Sequence, residues 1–457
     1  MRSFALASAL TAASLVHASP TPTENELPRR ASSLPTVTAS GNAFWAGKDR
    51  FYVRGIDYQP GGSSDNADPL ADSTVCDRDI KHFSDLGVNT VRVYSVDNSA
   101  DHSHCMQALS DAGIYLVLDV NNPKYSINRD DPAPSYNDVY LQSVFATIDE
   151  FQKYDNTLAF FSGNEVINDI PASVKSAPYV KATTRDMRQY ISSRKYRKIP
   201  VGYSAADVSQ NRQQTADYFN CGSDDERSDF FAFNDYSWCS PSSFTESGWD
   251  QKVKNFTGYG LPIFLSEYGC TTGAGGRDFS ELGALMNTEM TSVYSGGLLY
   301  EYSVEGNAFG IVELSGDSDT VKEDTDYSKF KSALAKYTPP SGDGGATSTT
   351  TSAACPTIDD VWAIGTFGAS ALPAIPEKAV SYMSAGAGTG PGLKGDGSQN
   401  AGGTSTGTAS AGSGSGSVSA TSTKDGGSGR PAPPMDMSVF AVTGVVAFFT
   451  LVGTLLL

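Results

Sequence analysis

The stretch Thr157-Leu158-Ala159-Phe160-Phe161-Ser162-Gly163-Asn164-Glu165-Val166 is a short apolar and aromatic run that closes on an amide and a carboxylate. It reads as a β-strand, and helical stretches flank it at 137–154 and 173–193. Working outward, seven further runs rich in β-branched and aromatic residues share this form, at 52–58, 90–96, 115–121, 199–204, 230–238, 262–268 and 297–303. Further helical stretches at 77–86 and 280–294 fall between them. Strands alternating with helices predict parallel βα units, and eight of them predict an α/β chain folded as a (β/α)8 TIM barrel. An open doubly wound sheet is the alternative, but no Gly-x-Gly-x-x-Gly turn follows the first strand.

The barrel is expected to occupy residues 36–337, a comfortable size for this fold. From about Pro339 the composition changes to Ser, Thr and Gly, broken by an ordered-looking island from Cys355 to about Met383. The expected organisation is a signal peptide at 1–18, the barrel, a short post-barrel segment at 338–383, a disordered Ser/Gly/Thr-rich stalk at 384–426, and a lipid-attachment propeptide at 427–457. The signal rests on Arg2, the apolar stretch 4–16, and small residues around Val16-His17-Ala18. At the other end, 438–457 carries no charge, and a polar spacer at 429–437 follows small residues at Gly426-Gly427-Ser428. This fits a glycosylphosphatidylinositol (GPI) anchor on Gly426 at the outer face of the cell membrane; a transmembrane anchor is the alternative.

The formal net charge is −18, and no Lys/Arg cluster runs along any predicted element, so nucleic acid is not an expected partner. Six cysteines lie between signal and tail, in an oxidising compartment, and predict three disulfides. No Cys-x-x-Cys pair exists and one of the four histidines falls in the signal, so no metal is expected, and no cofactor motif is present. Asn255-Phe256-Thr257 is a glycosylation sequon that places Asn255 at the surface.

In such barrels the chemistry sits at the C-terminal ends of the strands. Two runs end in a glutamate: the fourth at Glu165, and the seventh, Ile263-Phe264-Leu265-Ser266-Glu267-Tyr268-Gly269, at Glu267. A carboxylate that follows four apolar residues is costly to bury unless it has a use or a partner. Cleaving a glycosidic bond with retention needs an acid and a nucleophilic carboxylate about 5 to 5.5 Å apart, and strands four and seven face each other across an eight-stranded barrel. Asn164 can reach a sugar 2-hydroxyl, and Arg92, two residues before Tyr94, can orient the nucleophile or form a structural ion pair. In that cycle Glu165 is expected to have a raised pKa and Glu267 a normal or low one.

Asn164-Glu165 with Glu267 resembles the retaining barrel glycosidases. Tyr58-Gln59-Pro60-Gly61-Gly62, Lys124-Tyr125-Ser126-Ile127-Asn128-Arg129, Asn234-Asp235-Tyr236-Ser237-Trp238-Cys239 and Tyr300-Glu301-Tyr302 narrow the likeness to the fungal GPI-anchored β-1,3-glucanosyltransferases, glycoside hydrolase family 72. The resemblance implies Glu165 as acid/base and Glu267 as nucleophile, with Gln59, Tyr94, Asp119, Asn164, Tyr236 and either Tyr300 or Tyr302 binding sugar. Tyr302, nearer the strand end, is the expected one. It also implies the pairings Cys76–Cys105, Cys221–Cys355 and Cys239–Cys270. Since Cys355 is the only cysteine after Cys270, the chain resembles the branch without a cysteine-rich carbohydrate-binding module. The implied partners are β-1,3-glucan donor and acceptor chains of the cell wall, and the rival activity is a hydrolytic endo-β-glucanase.

Overall fold

The structure, a computed structural model, describes residues 34–315, 320–367 and 371–410. Eight parallel strands close a barrel: β1 (Val53–Asp57), β2 (Thr90–Val93), β3 (Tyr115–Asp119), β4 (Thr157–Asn164), β5 (Val201–Ala206), β6 (Phe230–Asn234), β7 (Ile263–Tyr268) and β8 (Tyr294–Leu299). The helices α1 (Ser73–Leu86), α2 (Ser103–Asp111), α3 (Asp138–Phe151), α4 (Ala177–Ser193), α5 (Arg212–Asn220) and α6 (Trp249–Phe256) connect the first seven strands in turn. Two short helices, Glu281–Leu285 and Thr288–Thr291, precede β8, and α7 (Thr325–Lys336) follows it. The eight-stranded α/β barrel predicted from the sequence is the observed fold.

Strand alternation sorts the core into two layers. Val117, Phe161, Phe230, Phe264 and Leu298 form an inner cluster, while Leu116, Phe160, Phe231, Leu265 and Leu299 belong to the layer beneath the helices. A three-stranded antiparallel sheet (Val37–Ser40, Ala43–Ala46, Asp49–Phe51) supplies Val37, Phe44 and Phe51 to the inner cluster, and the Phe44 ring meets Phe230 and Phe264 at 5.8 and 5.9 Å. Apolar packing thus fills the end of the barrel opposite the strand C-termini, and polar side chains are left for the other end.

Two strands break alternation where it matters. Between Phe161 and Asn164, β4 carries one residue more than β5, and between Leu265 and Glu267, β7 carries one more than β6. Each is a β-bulge, which re-aims the residues after it. The bulges come immediately before Glu165 and at Glu267.

Strand β8 spans 294–299 rather than 297–303. A Cβ on Gly296 would sit 2.0 Å from the Val53 carbonyl oxygen. The glycine is there because β1 and β8 approach closely.

The disulfides join Cys76 to Cys105, Cys221 to Cys355, and Cys239 to Cys270. The second ties down the post-barrel segment, whose Trp362 is fully buried against Tyr218. A stalk beginning at 384 is not observed: helix α8 (Glu377–Ala385) packs on α3 and α4, and residues 386–403 continue along the barrel surface. Residues 411–426, the signal peptide, Gly426 and the propeptide lie outside the described residues.

The loop after β1 is held by a buried charge cluster. His102, fully buried, contacts Asp68 at 2.8 Å and Glu150 at 3.4 Å, and Asp68 also accepts from the Asp97 amide. Burial pulls the His102 pKa down, but the two carboxylates outweigh it and raise it to about 9. Because that value exceeds the ordinary 6.5, the stabilisation is complete below about pH 6.5 and is lost as pH rises through about 9. Chemical denaturation between pH 6 and 9.5 should show this loss, at most about 3 kcal/mol, and His102→Gln should lack that segment of the profile.

Candidate active site

The C-terminal ends of β2, β3 and β7 converge on one buried guanidinium. Arg92, on β2 and fully buried, donates from Nε and Nη2 to Asp119 at 2.8 and 3.2 Å. Its Nη1 reaches Glu267 Oε1 and the Ser266 carbonyl, both at 3.2 Å. The same group lies over the rings of Tyr94 and Phe161, at 4.2 and 4.6 Å. The orienting role expected of Arg92 therefore has its geometry.

Glu267, only 7% exposed, receives two more donors: the Tyr94 hydroxyl to Oε1 at 2.8 Å and the Tyr236 hydroxyl to Oε2 at 2.7 Å. Three donors from the ends of two strands, β2 and β6, fix both oxygens. Burial pushes the carboxyl up to about 7, and the Glu165 charge adds to this against the pull of Arg92 and the two tyrosines. A normal or low value was expected from sequence; burial at the bulge, which a sequence does not display, makes the difference.

Glu165 follows β4 with φ 48°, in the left-handed region that a non-glycine residue occupies only when its surroundings hold it there. Its amide donates to the Ser204 carbonyl at 2.9 Å, and Arg129 Nη2 donates to its carbonyl at 2.6 Å. Its carboxylate accepts from Asn234 Nδ2 at 2.9 Å. Asn234 also donates to Asn164 Oδ1 at 3.1 Å, and its own Oδ1 lies 2.8 Å from the Ser266 hydroxyl. This amide chain couples the ends of β4, β6 and β7, so the two glutamates belong to one network.

A groove beside them is lined by Ser63, Tyr94, Asp119, Asn121, Ser126 and Asn164. Of the residues nominated from sequence, Glu165, Glu267, Tyr94, Asp119, Asn164 and Tyr236 come together here. Gln59 is 1% exposed and engaged with backbone: Oε1 accepts from the amides of Tyr94 and Ser95, and Nε2 donates to the Ala67 carbonyl. It sets Tyr94 in place.

Tyr302 is not in the groove. It is fully buried behind the barrel wall, packed on Tyr58 and Phe83, with its hydroxyl on Asp79 at 2.9 Å. Tyr300 stands at the site instead, its ring 6.4 Å from Tyr94 and 6.3 Å from Tyr236 and its hydroxyl 3.3 Å from Ser63. β8 ends at Leu299, before either tyrosine, so nearness to a strand end does not favour Tyr302. Asn255 is exposed, near the end of α6 rather than in a loop.

Sequence reasoning also passed over Asn234, Asp57 and Glu301. Asn234 stood in a quoted motif beside Tyr236, and its strand-end position was the available signal. Asp57 ends β1, is fully buried, and neither of its oxygens has a hydrogen-bond partner. Burial raises its pKa well above the carboxylate range, and the charges of Glu267, Glu301 and Asp119 reinforce that against Arg92. Glu301 is likewise pushed up to about 7 by burial.

A closed barrel that presents two networked glutamates at the ends of β4 and β7, beside a groove of tyrosines, amides and hydroxyls, defines the class of barrel glycosidases and transglycosidases. Comparison with known proteins narrows the class. The family described as Glucanosyltransferase, glycoside hydrolase family 72, matches residues 27–338. The 1,3-beta-glucanosyltransferase gel1 of Aspergillus fumigatus is 63% identical over 382 residues, covering 83% of this chain and 82% of its own. The 1,3-beta-glucanosyltransferase GAS5 of Saccharomyces cerevisiae is 52% identical over 360 residues, covering 78% and 73%. Among solved structures, a mutant of Saccharomyces cerevisiae Gas2p in complex with laminaritetraose and laminaripentaose superposes with a TM-score of 0.68 at 37% identity, covering 76% of each chain. The chain belongs to the glucanosyltransferases of glycoside hydrolase family 72.

The Tyr236 hydroxyl favours the ionised form of Glu267, so Tyr236→Phe should move the titration of that carboxyl upward from about 7. Titration of 13C-glutamate-labelled protein by NMR checks this; an unchanged midpoint would mean that the hydroxyl does not bear on Glu267.

Proposed function

We propose that this chain is a retaining β-1,3-glucanosyltransferase of the fungal cell wall in which Glu267 is the nucleophile and Glu165 the acid/base. The observation that carries the assignment of roles is the asymmetry of the pair. Glu267 is buried, and each of its oxygens is held by a donor, which leaves it one line of approach to an anomeric carbon. Glu165 is half-exposed, with one oxygen accepting from Asn234. It is free to face both a leaving group and an incoming hydroxyl.

In the first step Glu165 protonates the glycosidic oxygen of an internal β-1,3 linkage while Glu267 attacks the anomeric carbon. The reducing-end fragment departs, and the remaining chain is an ester of Glu267. Arg92 keeps its bidentate bond to Asp119 throughout, so neutralising Glu267 does not strand a buried cation. In the second step Glu165, now ionised, takes the proton from a 3-hydroxyl at the non-reducing end of an acceptor chain. That oxygen displaces Glu267 and forms a new β-1,3 bond. Water in the same place would shorten the chain, which is the hydrolytic alternative. Asn164, whose Oδ1 is fixed by Asn234, keeps its Nδ2 available for a 2-hydroxyl. Tyr94, Tyr236 and Tyr300 supply ring faces of the kind that sugars stack on.

We further propose secretion through the signal at 1–18 and tethering through a GPI anchor attached at Gly426, with the cell wall as the site of action. This reading is supported by the composition of the two ends and by family membership. Release of activity from cells by phosphatidylinositol-specific phospholipase C is the expected result, and retention after that treatment would favour the transmembrane alternative.

Incubation with a reduced-end β-1,3-oligosaccharide should give products longer than the donor; products shorter than the donor alone would make the enzyme a hydrolase. Glu267→Gln should lower turnover by about 10³-fold or more without lowering thermal stability. An active, folded Glu267→Gln would remove the glutamate from its role. Glu165→Ala should regain turnover on activated donors when azide is added, since a small nucleophile needs no general base, and should yield the β-glycosyl azide.

A further inference from the structure

Residues 386–403, beyond the family match that ends at 338, run as a strap against the barrel. Gln142 on α3 donates to the carbonyls of Ala387 and Thr389, both at 2.9 Å. The Gly392 amide donates to Asn98 Oδ1 at 2.9 Å. The strap then reaches the loop that follows β3. Lys124 Nζ donates to the carbonyls of Leu393 and Gly395 at 3.0 and 3.1 Å, and the Ser398 amide donates to the Lys124 carbonyl at 2.9 Å. Gln399 Nε2 donates to the Ser126 carbonyl at 2.8 Å.

The loop that the strap grips is part of the site. Ser126 and Ile127 line the groove together with Tyr94, Asp119 and Asn164. Two residues on, Arg129 holds the carbonyl of Glu165, the residue with positive φ. Between strap and groove stands Tyr125, 1% exposed, whose hydroxyl accepts from the Gly397 amide at 3.3 Å. The fit there is tight: a Cβ on Gly395 would lie 2.0 Å from the Tyr125 hydroxyl oxygen, with no other heavy atom nearer than 3.0 Å.

We infer that the 386–403 strap is a positioning element of the catalytic unit, which fixes the 121–129 loop and through it the groove wall and the backbone of Glu165. The catalytic unit then ends near 403 rather than at 337, and the strap residues help set sugar affinity without touching sugar. The inference relies on the proposed glucan activity only for its assay.

Gly395→Ala tests it, because the added methyl collides with the Tyr125 hydroxyl. The expected result is a rise in KM for a β-1,3-oligosaccharide and a fall in kcat/KM of about tenfold or more, of the kind that an ångström-scale misplacement produces. Tyr125→Phe alone should stay near wild type. Combined with Gly395→Ala it should restore most of the loss, because the colliding atom is gone. A purely stabilising strap predicts otherwise: a lower Tm, with kcat and KM per active site unchanged. Wild-type kinetics in a folded Gly395→Ala variant, or no recovery in the double variant, would overturn the inference. Should Gly395→Ala fail to fold, Gln399→Ala, which deletes only the bonds to Ser126, should still raise KM, and an unchanged KM would count against the strap. A wild-type enzyme that only shortens its substrate would refute glucan transfer while leaving the strap readable in the hydrolytic kcat/KM.

Discussion

The active site depends on a single charge that cannot be switched off. Arg92 is buried among carboxylates and aromatic rings, and a guanidinium does not lose its proton in a protein. Taking such a group out of water costs several kcal/mol, which is offset only when geometry and hydrogen bonds are good. Asp119 provides the bidentate partner, and Glu267 and the Ser266 carbonyl occupy the remaining fork. The ion pair therefore fixes β2, β3 and β7 relative to one another at the mouth of the barrel. Losing Arg92 would leave two carboxylates buried without compensation, a defect of a kind that commonly costs about 3 to 5 kcal/mol.

The barrel supplies this arrangement through a mismatch in its own periodicity. Regular alternation along β4 and β7 would carry one polar residue in two to the helix layer, where nothing could satisfy it. A single extra residue in each strand turns the Asn164-Glu165 pair and Glu267 toward the mouth. The backbone cost appears at Glu165, whose left-handed conformation is held by Ser204 on one side and Arg129 on the other. The Asn234 amide then links the two re-aimed segments, so the bulges are functional parts of the site.

Much of this was legible in the sequence, and what was missed follows a pattern. Eight strands, their order, and the two glutamates at strand ends could be read because strand-end carboxylates after apolar runs are conspicuous. Tyr94, Asp119 and Tyr236, named from fold and family, lie at the barrel mouth in contact with Arg92 or Glu267. Tyr302 was misplaced because nearness to the strand end decided for it, whereas β8 ends at Leu299, before either tyrosine. The last strand begins three residues earlier than its predicted run, at Tyr294, and Gly296 is what lets it lie close against β1. The strap was taken for stalk because glycine and serine mark both flexible chains and segments that must lie flat on another surface. The contacts that run from Ala387 to Gln399 distinguish the two cases.

The charge balance at the barrel mouth explains why an unpaired acid is kept there. Asp57, Asp119, Glu267 and Glu301 all lie close enough for their charges to act on one another, with Arg92 the one buried cation facing them. They cannot all be ionised together. Asp119 takes the permanent pair with Arg92, and burial drives Asp57 to hold its proton. Burial also pushes Glu301 up, and Glu267 is the member of the set held by three donors, which favour its ionised form. Forming a glycosyl ester removes that charge and leaves Arg92 and Asp119 as a neutral pair, and releasing the ester restores it. A second ionised carboxylate in place of neutral Asp57 would compete with Glu267 for Arg92 at every turnover. A neutral acid at the end of β1 keeps the guanidinium committed to the nucleophile and to Asp119 alone.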